Sequence, residues 1–209
     1  MLDVRKIRLT LELRESGITD SSVLSAIERT PREIFIPENF RNQAYENIAL
    51  PIGEDQTISQ PYIVALMTQL LNLKKNHKVL ELGTGSGYQC SILSLLTRRV
   101  YTIERIKPLL LKAEEKFKEL KLTNIVTKFA DGNLGWVEQI PFDRIIFTAA
   151  TNKISSIFFN HISDNGILIA PIIAGGKQIL KKYTKINGSI REESLTEVLF
   201  VPNLNGIKN

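Results

Sequence analysis

The stretch Val79-Leu80-Glu81-Leu82-Gly83-Thr84-Gly85-Ser86-Gly87-Tyr88 opens a new pattern in the chain at about Lys78. Val79 to Leu82 reads as a short apolar strand that ends in glycines, and a helix is predicted from about Tyr88 to Leu96. Glycines between a strand and a helix let the backbone pass close under a ligand. The spacing is G-x-G-x-G, not the G-x-G-x-x-G of dinucleotide folds. A glycine-rich turn alone is a weak signal; its place between strand and helix strengthens it.

Downstream, the same alternation repeats. Val100 to Glu104 reads as a second strand, and Leu109, Leu110, Ala113, Phe117 and Leu120 mark an amphipathic helix. Ile125 to Phe129 is a third strand, Phe142 to Thr148 contains a fourth, and Gly166 to Pro171 a fifth. Strands alternating with helices indicate a parallel sheet covered on both faces. Gln178 to Ile186 and Leu195 to Val201 are two further strand-like segments with no helix between them, joined through the turn signal Asn187-Gly188 by a linker longer than a two-residue hairpin. The expected fold is α/β and Rossmann-like, with a mostly parallel seven-stranded sheet closed by an antiparallel C-terminal hairpin. Such a pair is the mark of class I methyltransferases, whereas dehydrogenases continue with βαβ units.

Upstream, residues 1–60 do not read as βαβ. Val4 to Leu13 and Asp20 to Arg29 look helical, with Asp20 or Ser21 as N-cap. The two prolines of Pro31-Arg32-Glu33-Ile34-Phe35-Ile36-Pro37 argue for an extended link. A loop with Gly53, Glu54 and Asp55 follows, then Ile63, Val64, Met67, Leu70 and Leu71 at helical spacing. The chain therefore divides into an N-terminal helical segment with a loop, 1–60, and a ligand-binding domain, 61–209, which form one structural unit.

Composition is that of an ordinary globular protein: 43% hydrophobic and 23% charged in 209 residues. The one cysteine, Cys90, excludes an internal disulfide, and neither it nor His77 and His161 shows metal-ligand spacing, so no metal is expected. Met1 to Arg14 lacks the apolar core of a signal peptide, and Gly166 to Gly176 is too short to span a bilayer. A cytoplasmic protein is expected. The net charge of +5 comes from Lys and Arg scattered among acids, without a basic run interleaved with aromatics, which argues against a nucleic-acid partner.

Ligands of open α/β sheets bind outside the carboxyl ends of the strands. Glu104 ends the second strand, where a carboxylate accepts both hydroxyls of a ribose; the plainer reading pairs it with Arg105 at the surface. Asp131-Gly132 follows the third strand, and Asp131 either accepts an adenine amino group or closes an Asx turn. Glu81 lies within the first strand and, as a buried acid, needs a partner. It either braces the glycine loop or reaches a cofactor ammonium through water.

The sequence also resembles the protein-L-isoaspartate O-methyltransferase family. The resemblance is carried by Gly53-Glu54-Asp55-Gln56-Thr57-Ile58-Ser59-Gln60-Pro61, by Val79 to Gln89, by Asp131-Gly132 before Gly135-Trp136, by Pro141-Phe142-Asp143-Arg144-Ile145-Ile146 and by Phe200-Val201-Pro202. Thr-Ile-Ser-Gln-Pro is its specific part; the glycine loop says only methyltransferase. What the resemblance implies is S-adenosyl-L-methionine as cofactor and isoaspartyl-containing proteins and peptides as partners, with no membrane and a monomeric chain. It implies Ser59 at the acceptor carboxylate and Thr57, Ile58 and Gln60 around the methionine end of the cofactor. The rest of the cofactor set is Glu81, Gly83, Thr84, Gly85, Gly87, Glu104, Arg105, Ala130, Asp131 and Gly132. Ser59 also has a plain role open to it, as a helix N-cap before Pro61. The chain departs from the family pattern at Asp55, where Gly is usual, at Ala130, in place of the first Gly of Gly-Asp-Gly, and at Thr151-Asn152, in place of a proline-containing stretch.

Rival chemistries lack their residues. Amino-base methyltransferases carry Asn- or Asp-Pro-Pro-aromatic after the fourth strand, where this chain has Thr148-Ala149-Ala150-Thr151. Base C5 enzymes need a nucleophilic cysteine in the acceptor pocket, and Cys90 lies on the helix after the glycine loop, where a buried structural thiol is expected. Metal-dependent catechol-type enzymes need acids just past the fourth strand. A related chemistry, methylation of Asp in a dedicated peptide, is separated poorly by sequence. Trp136 and Tyr62 either line a peptide groove or pack in the core.

Overall fold

A computed structural model describes residues 3–209. Met1 and Leu2, the first two residues of the segment read as lacking a signal peptide, lie outside the described residues. The alternation after Lys78 folds into one seven-stranded sheet. Its strands are β3 (Lys78–Leu82), β4 (Arg99–Glu104), β5 (Ile125–Phe129), β6 (Phe142–Phe147), β7 (Ile162–Ala174), β8 (Lys177–Ile186) and β9 (Ser189–Val198). The order across the sheet is β5-β4-β3-β6-β7-β8-β9. The pairs from β5 through β7 are parallel, and β7–β8 and β8–β9 are antiparallel, as the apolar runs and the missing last helix foretell. β3 is an interior strand of the sheet, paired on both sides, with Val79 to Leu82 all buried. The chain leaves it for β4 on one side and returns to β6 on the other, so the strand order reverses beside β3, and the crevice at its carboxyl end is the expected ligand site.

Helix α4 (Tyr88–Leu96) matches its expected span, and α5 (Lys107–Glu119) buries Leu109, Leu110, Ala113 and Phe117 at helical spacing. A short helix, α6 (Ser156–His161), precedes β7. In the N-terminal segment, α1 (Val4–Glu15) and α2 (Ser21–Arg29) are as expected, and the Asp20 carboxylate caps α2 by accepting from the N–H groups of Ser22 and Val23. α3 spans Pro61–Leu70. One apolar cluster runs from Leu9 and Leu13 of α1 through Val23 and Ile27 of α2 and Val64 of α3 to Tyr88, Ile92 and Leu109. No helix among the described residues is long and apolar enough to cross a membrane.

Four local expectations need correction. Arg32–Phe35 is a turn of 3₁₀ helix, not an extended link, because Pro31 at its N-cap fixes φ at −70° and initiates the turn. Gly53, Glu54 and Asp55 belong to a hairpin, in which β1 (Leu50–Gly53) pairs antiparallel with β2 (Gln56–Ile58). Its turn residues, Glu54 and Asp55, both have positive φ, 53° and 56°. Hairpins favour that geometry because it matches strand twist, even though neither residue is glycine. The last strand runs from Ser189 to Val198, not from Leu195 to Val201. Asn187-Gly188 is therefore itself a two-residue loop, with φ of 48° and 78°, and Ile186 pairs with Ser189. The polar, mostly exposed start of this edge strand hides it from a hydrophobic pattern. Finally, the N-cap of α3 is Gln60, without a side-chain cap, so Ser59 does not cap the helix.

Candidate functional site

The loop after β3 is shaped by its glycines for two different reasons. Gly83 has φ of 99°, and a Cβ there would strike the hydroxyl of Thr148, which lies 2.8 Å from the Leu82 carbonyl and 2.6 Å from that of Gly83. Gly87 has φ of 89°, and a Cβ there would press on Phe117 and Ala113 of α5. The last glycine thus serves packing, while at Gly85 a Cβ would make only ordinary contact with Ile52, so that glycine serves backbone conformation, with φ of 53°.

Glu104, at the end of β4, is buried, which rules out the surface pairing with Arg105. Its Oε2 accepts from the N–H of Gly85 at 2.8 Å and its Oε1 from that of Ile106 at 2.9 Å. One carboxylate therefore ties the glycine loop to the start of α5. Burial pushes its carboxyl above the usual range, and the N–H groups of Gly85 and Ile106 oppose the shift. Each oxygen keeps a lone pair for a ligand hydroxyl.

A cavity opens beside this carboxylate. Thr57, Ile58, Ser59, Gly83, Thr84, Gly85, Glu104, Arg105 and Gly132 all line it. The structure thus brings the β1–β2 hairpin and the strand ends together, from segments read separately in sequence. Gln60, Glu81, Gly87, Ala130 and Asp131 stand outside this lining. The Ala130 N–H donates to the Glu104 carbonyl at 3.1 Å. Asp131 forms the Asx turn: its Oδ1 accepts from the N–H of Asn133 at 2.8 Å and from that residue's side-chain amide at 3.0 Å. Trp136 packs in the core, edge-on to Tyr101 with ring centroids 5.3 Å apart, and Tyr62 is half-buried against the N-terminal cluster.

Glu81 braces the loop. It is fully buried, and the Thr102 hydroxyl donates to its Oε2 at 2.6 Å. Thr84 in the glycine loop lies 2.7 Å from Thr102, so a hydroxyl chain joins the strand to the loop. Its Oε1 has no hydrogen-bond partner among the described residues. Burial pushes the Glu81 carboxyl up to about 8, against the Thr102 and Cys90 side chains, with the Glu104 charge adding to the rise. The neighbouring Cys90 thiol is pushed well above its usual value by burial, which makes it a structural and unreactive thiol.

This burial has a consequence for stability. Below the ordinary value of 4.5 the folded and unfolded chains both hold the Glu81 proton. Between 4.5 and about 8 the unfolded chain releases it while the folded chain keeps it, so this residue lowers stability progressively as pH rises. Glu81→Gln cannot titrate. It should melt several degrees above wild type at pH 8 and gain nothing at pH 4, as read by calorimetric or fluorescence melts. An equal gain at both pH values would show that the fold does not raise the Glu81 pKa.

Phe200 to Leu204 form one wall of the cavity; the sequence marked Phe200-Val201-Pro202 as part of the family pattern but did not place it in the site. After β9 the chain turns back as a strap across the carboxyl ends of the parallel strands. Ala150 accepts from Asn203 at 2.7 Å and donates to Val201 at 2.8 Å. Gly206 donates to Asp131 Oδ2 at 2.7 Å and accepts from Arg105 Nε at 2.9 Å. Lys208 pairs with the backbone of Arg105 and Lys107, and its ammonium meets Glu54 of the β1–β2 turn at 2.8 Å. The visible signal was Val201-Pro202 in an apolar tail with no period.

No group of three or more metal-ligating side chains occurs among the described residues. What the cavity offers is the Glu104 carboxylate, the backbone of a glycine loop and the Ser59 hydroxyl just after the β1–β2 hairpin, without a cysteine or histidine in its lining.

Comparison with known proteins agrees with this arrangement. Residues 4–208 match the family model of protein-L-isoaspartate(D-aspartate) O-methyltransferase. The chain is 49% identical over 204 residues to a protein-L-isoaspartate O-methyltransferase of Maricaulis maris, covering 98% of this chain and 96% of that one. A Caulobacter vibrioides enzyme of the same name is 50% identical over 201 residues, covering 96% and 90%. Among solved structures, a protein-L-isoaspartate O-methyltransferase superposes with a TM-score of 0.89 at 25% identity, over 98% of this chain and 67% of that one. A Plasmodium falciparum protein assigned to the same class, solved with S-adenosyl-L-homocysteine, gives 0.84 at 27% identity, over 94% and 97%. The chain belongs to the protein-L-isoaspartate(D-aspartate) O-methyltransferase family.

Proposed function

We propose that this protein transfers a methyl group from S-adenosyl-L-methionine to the free α-carboxylate of L-isoaspartyl residues in damaged proteins and peptides. The observation that carries the reading is one cavity shared by Glu104, the glycine loop and Ser59. The lone pairs left on Glu104 suit the two ribose hydroxyls. Gly83 to Gly85, together with Thr57 and Ile58 of the hairpin, suit the methionine end. Asp131, held by Asn133 and Gly206, shapes the adenine end through Gly132, which lines the cavity. When bound, the cofactor supplies a sulfonium methyl for displacement by an oxygen nucleophile.

The acceptor needs no base, because an α-carboxylate with a pKa of about 3.5 is already ionised at neutral pH. The residues of this chain have only to bind, desolvate and align it, and alignment of this kind contributes up to about 7–11 kcal/mol. Ser59 is the hydroxyl donor for that oxygen. The neighbouring backbone amide nitrogen then attacks the ester carbonyl and expels methanol, and the resulting succinimide takes up water to give in part normal aspartate. The reading extends to a cytoplasmic monomer that engages neither nucleic acid nor membrane. Its support is the scatter of Lys and Arg among acids and a lone buried thiol, which fits a reducing compartment.

The test is transfer of tritiated methyl from the cofactor to an isoaspartyl peptide beside its aspartyl twin, in buffer containing EDTA. Label should enter the isoaspartyl peptide alone. Label in the aspartyl twin would redirect the reading to a dedicated aspartyl substrate, and no label in either would end it.

A further inference from the structure

Arg32 is fully buried, yet no carboxylate lies within ion-pair distance of it among the described residues. A buried charge without a counter-ion is expensive unless polar groups surround it. Here four carbonyls do so. Nη1 donates to Ala44 at 2.8 Å and, more weakly, to Glu46 at 3.5 Å, and Nη2 donates to Ile48 at 2.9 Å and Ser59 at 3.1 Å. The Tyr88 ring lies beneath, 5.8 Å from the guanidinium carbon. Nε is left without a partner. Burial lowers the Arg32 pKa from its ordinary value, but an arginine stays charged in proteins.

One of those four carbonyls belongs to the proposed acceptor residue. A trans peptide is planar, with its N–H opposite its C=O. A Ser59 carbonyl drawn into the core by Arg32 therefore turns the Gln60 N–H away from the core. That N–H has no acceptor among the described residues, and it adjoins Ser59, which lines the cavity although Gln60 itself does not. The fork of Arg32 also fixes three points of the segment leading into the hairpin, Ala44, Glu46 and Ile48.

We propose that Arg32 is a positioning residue for the acceptor carboxylate: it pins the Ser59–Gln60 peptide so that the Gln60 N–H and the Ser59 hydroxyl converge on one carboxylate oxygen pair. This rests on the isoaspartyl reading above. The uncompensated positive charge behind the peptide polarises it and favours an anion in front of it. The consequence is selectivity for charge. Arg32 strengthens binding of an isoaspartyl peptide and has little effect on a twin peptide whose α-carboxylate is a carboxamide.

The experiment measures both peptides by calorimetry against protein saturated with S-adenosyl-L-homocysteine. Wild type should prefer the carboxylate by about tenfold or more, the range of a charge-assisted hydrogen bond. Arg32→Met should lose most of that preference. Arg32→Lys keeps the charge but cannot span four carbonyls, so it should lose part of it, with cofactor affinity within about threefold of wild type. A purely structural role would weaken both peptides equally. Should Arg32→Met fail to fold, Arg32→Lys decides, together with hydrogen exchange at the Gln60 amide of wild type. That exchange should slow with the isoaspartyl peptide and not with the carboxamide. Unchanged preference in Arg32→Lys, or a Gln60 amide indifferent to the peptide, overturns the proposal. Those results leave the functional reading standing if wild type still methylates the isoaspartyl peptide; wild type that fails to methylate it overturns both.

Discussion

Replacing Glu104 with Ala should weaken cofactor binding by about a hundredfold or more. Two effects add. The ribose hydroxyls lose a charged acceptor, which is worth about 1.5–3 kcal/mol for each hydrogen bond before compensation. The protein also loses the clamp between β4 and its neighbours, since the N–H groups of Gly85 and Ile106 both donate to this carboxylate. Leaving such donors unpaired costs about 1–3 kcal/mol apiece where water cannot reach them. Part of that penalty appears as a lower melting temperature, and part as a glycine loop no longer held in its binding shape. Calorimetric titration with S-adenosyl-L-homocysteine separates the outcomes. A folded variant with wild-type affinity would remove Glu104 from the ribose site and leave it as a structural clamp alone.

Ser59→Ala should act on turnover instead. Losing one donor in a desolvated site of this kind costs about 2.7–4 kcal/mol, or roughly a hundred- to a thousandfold in rate. Cofactor affinity should stay close to wild type, because Glu104 and the glycine loop carry most of it. Stability should change by less than about 0.5 kcal/mol. The cap of α3 falls on Gln60, so no capping bond is lost. Ser59→Thr keeps the hydroxyl, adds a methyl group and should fall between the two. The measurement is single-turnover methylation of an isoaspartyl peptide, corrected for folded fraction. A wild-type rate in Ser59→Ala would assign the acceptor to backbone N–H groups.

The features that local sequence fixes were readable, and those that depend on distant partners were not. β3, the glycine loop and α4 are set by adjacent residues, so their boundaries agree closely with the reading. β5 is likewise delimited by its own β-branched and aromatic residues, Ile125, Val126, Thr127 and Phe129. The β1–β2 hairpin was read as a loop because its turn uses Glu54 and Asp55 at positive φ, where a glycine would have announced it. The first part of β9, before Leu195, escaped notice because an edge strand facing water has no apolar period to display. The strap's contacts were illegible for another reason, although Phe200-Val201-Pro202 was noticed: its partners, Ala150, Asp131 and Arg105, lie from about fifty to a hundred residues away. In the site, residue types were legible and their partners were not. Glu104 stood out at a strand end, but its grip on Gly85 did not. Arg32 looked like part of a proline-bounded link, and nothing in its neighbours reveals a guanidinium buried among carbonyls.

The strap also orders events as the chain leaves the ribosome. Most of the parallel sheet, from β3 to β7, is complete once residue 174 has emerged. The wall formed by Phe200 to Leu204, and the Lys208 contact that closes onto Glu54, come later. Contacts of such long sequence separation are also late to form in folding. A nascent chain stalled before this point holds most of the cofactor cradle with one side missing, and full cofactor affinity should arrive only once residues 200–208 have emerged. The same geometry bears on how the protein is handled in the laboratory. A substitution at Asn209 would sit one residue from the Lys208 latch, whereas one on the exposed face of α1 would leave the latch untouched.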